Sequence, residues 1–251
     1  KQGSPVNLKA AQHQVKARKV VIASNIAADG QPQLKDLMVL VTSAVIATER
    51  IPERLKEIGW TGGETVTDSQ SRLNYYRTTR DGRIVYGMGI ADLSYKNRLT
   101  TKVLRNTEGI QEVIRNFHRV YPMLADVPIA YGWSGPIDRT YDGLPLIGQY
   151  RDCKDISYGI GWSGNGVGPS RLGGRILAGL ALEQDNRWTQ NRFVNRVGRK
   201  FPPEPLRFIF GSLVRRAIIR KDSAEIANKP VTLADKILSG LAPAGTEDKG
   251  K

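Results

Sequence analysis

A mixed fold, part α/β and part α+β, is predicted by three features of this 251-residue sequence. The first is a continuous apolar run at residues 19–25 (KVVIASN) ending in a polar break, the pattern of a strand buried on both faces of a parallel sheet. The second is a meander of alternating strands after residue 37, with Asp81-Gly82 as its hairpin signal. The third is a glycine-rich stretch, residues 131–175, that leads into a helix with one apolar face.

Taken in order, residues 6–8 and 15–17 form a hairpin, and the strand at 19–25 follows, with Asn25 at its end. Strands are predicted at 38–49, 73–79 and 83–89, joined between the last two by the turn Arg80-Asp81-Gly82. Alternation sends only one of Tyr75 and Tyr76 inward. Residues 106–124 read as an amphipathic helix with Ile110, Val113, Ile114, Phe117 and Tyr121 on one side. His118 beside that stripe reads as a surface or half-buried histidine with its bonds satisfied. The glycine-rich stretch parses as strand, turn (Asp142-Gly143-Leu144-Pro145), strand (155–158), loop and helix. Ser170 is placed to cap that helix, and Leu172, Ile176, Leu177, Leu180 and Leu182 form its apolar face. Beyond residue 186, the rigid FPPEP at 201–205 precedes a basic amphipathic helix at 206–220, with Ile209, Phe210, Leu213, Val214 and Ile218 on its apolar side. Packing back onto the domain is the first reading of that helix, ahead of a membrane surface or another chain; 245–251 reads as a frayed tail.

Composition narrows the function. The chain is 40% hydrophobic and can bury a real core. Its net charge of +14 suits nucleic acid, an anionic surface or an acidic partner, but the basic residues are scattered rather than run together, so no nucleic acid is expected. Neither a signal peptide nor a transmembrane run is present in the sequence, which makes a soluble cytoplasmic protein the default. Cys153 is the single cysteine and excludes an internal disulfide; two histidines leave no zinc constellation, and no metal is expected.

Of the 26 glycines, eleven fall between Gly132 and Gly174. Such density implies main chain that turns tightly or lies close against a ligand, and the helix start behind it favours an anion. Residues 159–164 match the dinucleotide pattern GxGxxG. That fingerprint requires a second parallel strand about 20 residues on, ending in an acid; residues 183–188 (EQDNRW) read as a loop instead. A ligand-free glycine-rich meander is the alternative.

The combination Trp133-x-Gly135, Thr140-x-Asp142-Gly143-x-Pro145-x-Ile147-Gly148 and Gly161-x-Ser163-Gly164-x-Gly166-Val167 resembles the C-terminal signature of the flavin-dependent amine and amino-acid oxidases, over roughly residues 5 to 190. This resemblance implies a Rossmann-like FAD-binding domain plus an antiparallel substrate domain. The family's opening βαβ unit with its own GxGxxG is absent, so the missing N-terminal half would lie in the same or a second chain. The implied division is 1–36 as the end of the FAD-binding domain, 37–130 as the substrate domain with its helix at 106–124, 131–186 as the return to the FAD-binding domain, and 187–251 as a helical extension and tail. Cofactor contacts are implied at Asn25, Gly135, Asp142, Pro145, Gly148, Gly161, Gly164, Asn165, Gly166 and Val167. Tyr76, Tyr86, Trp133 and Asp138 are the substrate-pocket candidates, and no catalytic residue is assigned.

The implied activity is oxidation of an amine C–N bond to an imine by hydride transfer to FAD, the protein orienting the substrate while the ring does the redox work. Many relatives place an arginine after the Trp-x-Gly motif to hold a substrate carboxylate. Here the place reads Pro136-Ile137-Asp138, which suggests a small amine-bearing substrate over a simple amino acid. Asn165 stands where several relatives have histidine. Cys153 falls beyond the region used for covalent attachment, so non-covalent FAD is expected and Cys153 reads as a buried thiol. A flavin-free interaction subunit that retains the fold, or a basic nucleic-acid-binding protein, is the alternative; an oligomer is compatible with any of these.

Overall fold

The computed structural model describes residues 5–243. In chain order the strands and helices are β1 (Val6–Ala10), β2 (His13–Ala17), β3 (Val20–Ile22), β4 (Val39–Thr48), α1 (Pro52–Glu57), β5 (Thr65–Thr67), β6 (Asn74–Thr78), β7 (Ile84–Leu93), α2 (Thr101–Arg105), α3 (Thr107–Val120), β8 (Ile129–Arg139), β9 (Leu146–Gln149), β10 (Ile156–Ile160), α4 (Pro169–Ala181), α5 (Leu206–Ile226) and α6 (Leu233–Ser239). They divide into two compact units, Lys1–Val39 with Ile137–Pro203 and Leu40–Pro136 with Glu204–Lys251. The expected extension at 187–251 is therefore not one body: its first part stays with the first unit and the rest joins the second. The expected tail at 245–251 lies outside the described residues.

In the first unit a three-stranded sheet runs in the order β3-β10-β9, with β10 parallel to β3 and antiparallel to β9. α4 covers one face through Ile176, Leu177 and Leu180, which pack on Ile147. Leu172 and Leu182 are exposed, so the apolar face is narrower than the sequence suggested. Gly168, not Ser170, is the N-cap; Pro169 opens the helix with a preset φ, and Ser170 already lies in its first turn. The run at 19–25 also needs correction. Only Val20–Ile22 is strand, it is an edge, and Val21 is exposed. Asn25 adopts a φ of 54° that no strand accommodates, and a 3-10 turn over Asn25–Gly30 follows. Asn195 ties the later segment to this sheet: its N–H donates to the Ile147 carbonyl (2.8 Å) and its side chain accepts from the Gln149 N–H (2.8 Å).

The second unit carries a five-stranded sheet in the order β5-β6-β7-β4-β8. α3 lays Val113 and Phe117 onto Ala44, Ile46, Ile84, Tyr86 and Met88, which form the core. Asn106 caps that helix by accepting the Gly109 N–H (3.0 Å). α5 continues six residues past the predicted end at 220, to Ile226, and Asp222 anchors it by accepting the N–H groups of Ser71 (3.1 Å) and Arg72 (3.2 Å). α6 folds back against the C-terminal half of α5, held by Arg220 to Asp235 at 2.5 Å.

Candidate functional site

The glycine loop between β10 and α4 is held at its base by one buried acid. Asp138, near the end of β8, is 1% exposed. Its carboxylate accepts the N–H groups of Gly161 (2.7 Å) and Trp162 (3.1 Å), and its carbonyl accepts that of Ser163 (3.3 Å). Ser163 adds a second tie: its hydroxyl accepts the Thr140 N–H (3.2 Å) and donates to the Gly161 carbonyl (3.1 Å). Positive φ values at Gly161 (73°), Ser163 (56°) and Gly164 (88°) give the loop its sharp course. Burial pushes the Asp138 carboxyl upward while the loop N–H groups pull it down, and the net shift is upward. The substrate-facing role expected of Asp138 is thereby corrected: its oxygens are spent on the loop.

Much of the glycine density has an internal cause. A Cβ on Gly161 would lie 2.2 Å from Thr140 Cγ2, one on Gly173 2.3 Å from the Trp162 ring, and one on Gly148 2.5 Å from Asn195 Oδ1. Gly166 likewise faces Trp162 Cβ at 3.0 Å. Several glycines thus make room for the chain's own side chains. Gly135, Gly168 and Gly174 differ, having no atom within 4 Å of a built Cβ.

What stays open is the loop tip. Val167 is 97% exposed, an unusual setting for a branched apolar side chain between glycines. Gly164 and Asn165 are exposed beside it. Among the described residues, the main-chain N–H groups of Gly164, Gly166, Val167 and Gly168 donate to no protein acceptor. Behind them starts α4, with Arg171 and Arg175 exposed on its first two turns around a shallow cavity that also includes Gly168 and Leu172. Free N–H groups, the positive end of a helix and two guanidinium groups can together hold an anion or the acceptor edge of a planar ring. The two arginines were not singled out in the sequence, although their i, i+4 spacing after Gly168 was visible there.

The other expected residues divide between the units. Asn25 opens the 3-10 turn after β3 and accepts the Ile26 N–H with its own Oδ1 (2.6 Å). Asp142 organises a turn: it accepts from the Leu144 N–H (3.1 Å) and from the two terminal nitrogens of Arg196, Nη1 (2.7 Å) and Nη2 (3.0 Å), while Arg196 Nε donates to the Pro145 carbonyl (2.8 Å). Burial raises the Asp142 carboxyl, but Arg196 and the turn outweigh it and leave it below the usual range. Arg196, distant in sequence, could not have been paired with that turn without the fold.

In the second unit, Tyr76 and Tyr86 are 8% and 0% exposed and stack at 4.9 Å within a cluster that includes Trp60, Phe117 and Tyr121. They are core residues beneath α3 and do not line an open pocket. Tyr75 points to the opposite face, where its ring covers Gly87 and its hydroxyl meets Ser43 at 2.7 Å. Trp133 is exposed on β8, the sheet edge, together with the open Gly135. His118 Nε2 is buried and has no hydrogen-bond partner among the described residues, contrary to the satisfied state expected. Cys153 is half-buried in the β9–β10 connection, not fully buried.

These features coincide with a known family. Residues 1–180 match the family described as FAD dependent oxidoreductase, and the chain belongs to it. It is 32% identical over 187 residues to the probable oxidoreductase OrdL of Haemophilus influenzae, a span covering 72% of this chain and 40% of the relative. With the gamma-glutamylputrescine oxidoreductase of Escherichia coli it shares 30% identity over 201 residues, 79% of this chain and 44% of that protein. The fold is similar to glycine oxidase from Geobacillus kaustophilus (TM-score 0.60, 18% identity, 79% of this chain and 52% of that one). It is also similar to Amadoriase I from Aspergillus fumigatus (TM-score 0.62, 16% identity, 78% and 47%). The chain thus spans about two fifths of the length of these curated relatives. Among the described residues no helix is long and apolar enough to cross a membrane.

Proposed function

We propose that the protein to which these residues belong oxidises a small amine to an imine as an FAD-dependent oxidase or dehydrogenase, with FAD held non-covalently. The observation that carries this reading is the loop at 161–168, whose base is fixed by Asp138 and whose tip offers unpaired N–H groups beside an exposed Val167. A flavin, when bound, supplies the two-electron acceptor that such an oxidation needs.

The chain's own contribution is positional. Asp138, Ser163 and Thr140 tie the base of the loop by hydrogen bonds, which gives the donors at Gly164, Gly166, Val167 and Gly168 set directions. Val167 would offer an apolar contact to a bound flavin, and the start of α4 with Arg171 and Arg175 would favour negative charge on it. Tyr75, with its hydroxyl raised by burial and moderated by Ser43, takes over the candidate substrate-facing role from Tyr76 and Tyr86. Trp133 remains a second candidate. The similarity to an enzyme named for gamma-glutamylputrescine supports an amine-bearing substrate, and partial coverage of the relatives supports a further N-terminal half in the same or a second chain.

The test is the visible absorbance of the protein from its native source, with the intact mass of every polypeptide in the preparation. A flavin band is expected, and its absence from the complete native protein overturns the proposal. Gly168→Val sharpens the test. The site is open, so the variant should keep its thermal midpoint while flavin content falls. Gly166→Val is a poorer probe, because its side chain would press on Trp162 instead of entering free space.

A further inference from the structure

α5 has an apolar stripe of which α6 covers only the C-terminal half. On the C-terminal half of the helix, Ala217 is fully buried and Arg220 reaches Asp235 of α6. On the N-terminal half, Leu206, Ile209, Phe210 and Leu213 recur at i, i+3, i+4 and i+7, and all four are exposed, Phe210 by 57%. That spacing makes one continuous ridge along two turns. Four large apolar side chains in one exposed row is more than scattered surface hydrophobicity.

Residues 95–105 meet the start of α5 through Phe208, about half a turn round the helix from that row. The Tyr95 and Phe208 rings meet at 5.5 Å, and the Lys96 N–H donates to Glu204 Oε1 at 2.9 Å. This second segment also exposes Tyr95, Leu99 and Leu104. Its charged side chains are all cationic: Lys96, Arg98, Lys102 and Arg105 are exposed, and the segment contains no acid. Residues 206–221 of α5 hold five cations and no acid, and among them Arg216 is exposed one turn after Leu213 with no ion-pair partner among the described residues. Both segments expose apolar side chains, and within each stretch the charged residues are all Lys or Arg.

We propose that this face docks on the surface of an anionic lipid bilayer. Apolar side chains would enter the headgroup boundary while the flanking Lys and Arg pair with lipid phosphates, the arrangement of interfacial helices. Charge decides among occupants. A second copy of a chain with net charge +14 would bring like charge against like. An acidic protein would satisfy the cations, but the apolar row together with the cation fringe suits a surface that is anionic outside and hydrocarbon within.

The experiment is vesicle co-sedimentation of the complete protein, purified from its native host, with phosphatidylcholine vesicles and with mixed phosphatidylcholine–phosphatidylglycerol vesicles. Binding to the mixed vesicles alone is expected, weakening as salt is raised. The pair Ile209→Ser and Phe210→Ser, both exposed and so of little consequence for folding, should lower the partition coefficient about tenfold or more. Lys96→Glu with Lys102→Glu should reduce it by a similar factor, about tenfold, through lost attraction to the anionic surface. Met123→Ser, an exposed apolar change in the same unit outside this face, should leave binding unchanged. Failure to bind mixed vesicles, equal binding to both kinds, wild-type binding by the stripe variant, or capture by polyglutamate in place of vesicles would each overturn the proposal.

Discussion

Gly173 and Gly174 are neighbours on α4, yet one is packed and the other is free. Gly173 lies under the Trp162 ring, where an added Cβ would sit 2.3 Å from a ring carbon; Gly174 faces open space. The same contrast separates the base of the 161–168 loop from its tip. At the base Gly161 makes room for Thr140, whereas Gly168 at the end of the loop has no atom within 4 Å of a built Cβ. Glycine content therefore marks two different things in this molecule, internal packing and an unfilled surface, and only the second is evidence for a ligand.

Breaking the base should have the largest effect. Asp138→Ala leaves the Gly161 and Trp162 N–H groups without their acceptor in a buried setting, an expected loss of about 2–5 kcal/mol in urea unfolding. Next comes the aromatic core of the second unit: Tyr86→Ala should destabilise by about 3–5 kcal/mol, because it empties a fully buried site beneath α3. Tyr86→Phe should be neutral or slightly stabilising, since the hydroxyl is buried and has no hydrogen-bond partner. Unchanged turnover in that variant would support core status, and a large change in turnover with stability preserved would restore Tyr86 as a pocket residue.

The glycine pair provides a smaller and cleaner contrast. Gly173→Ala should destabilise by about 1–3 kcal/mol through overpacking against Trp162. Gly174→Ala should stabilise by about 0.5–1 kcal/mol, the usual gain from replacing an exposed glycine inside a helix. Equal effects at the two positions would break the distinction drawn between packed and open glycines. The smallest expected effect is in pH dependence. Because the folded-state value of Asp138 is raised, its contribution is fully present below the unfolded carboxylate value and is lost as pH rises through the folded one. Stability should therefore decline slightly over that acidic window, and the decline should disappear in Asp138→Asn.

Local patterns made much of the fold legible. The 3.6-residue spacing of Val113 and Phe117 announced α3, the Asp81-Gly82 signal announced the β6–β7 hairpin, and the polar residues after α4 ruled out a dinucleotide fold around 159–164. Each of those signals acts between residues close in the chain. The misreadings arose where the partner was remote. Asp138 looked like a group facing substrate because nothing nearby showed that Gly161 and Trp162 would claim its oxygens. Tyr76 and Tyr86 looked like pocket residues because alternation tells which residues share a face but not which face α3 covers.

By itself, then, the sequence determined the longer elements such as α3, α4 and the β6–β7 hairpin, the flavin-family motifs and the glycine-rich loop, since turn chemistry and hydrophobic periodicity are properties of neighbouring residues; α1, β5, α2 and α6 were not foreseen. Tertiary structure alone decided which glycines are filled by Trp162 and Thr140, which face of the β6–β7 sheet is core, and that Arg196 completes the Asp142 turn. Those outcomes depend on burial and hydrogen bonding between residues far apart in the chain, and only the folded arrangement brings such groups within reach.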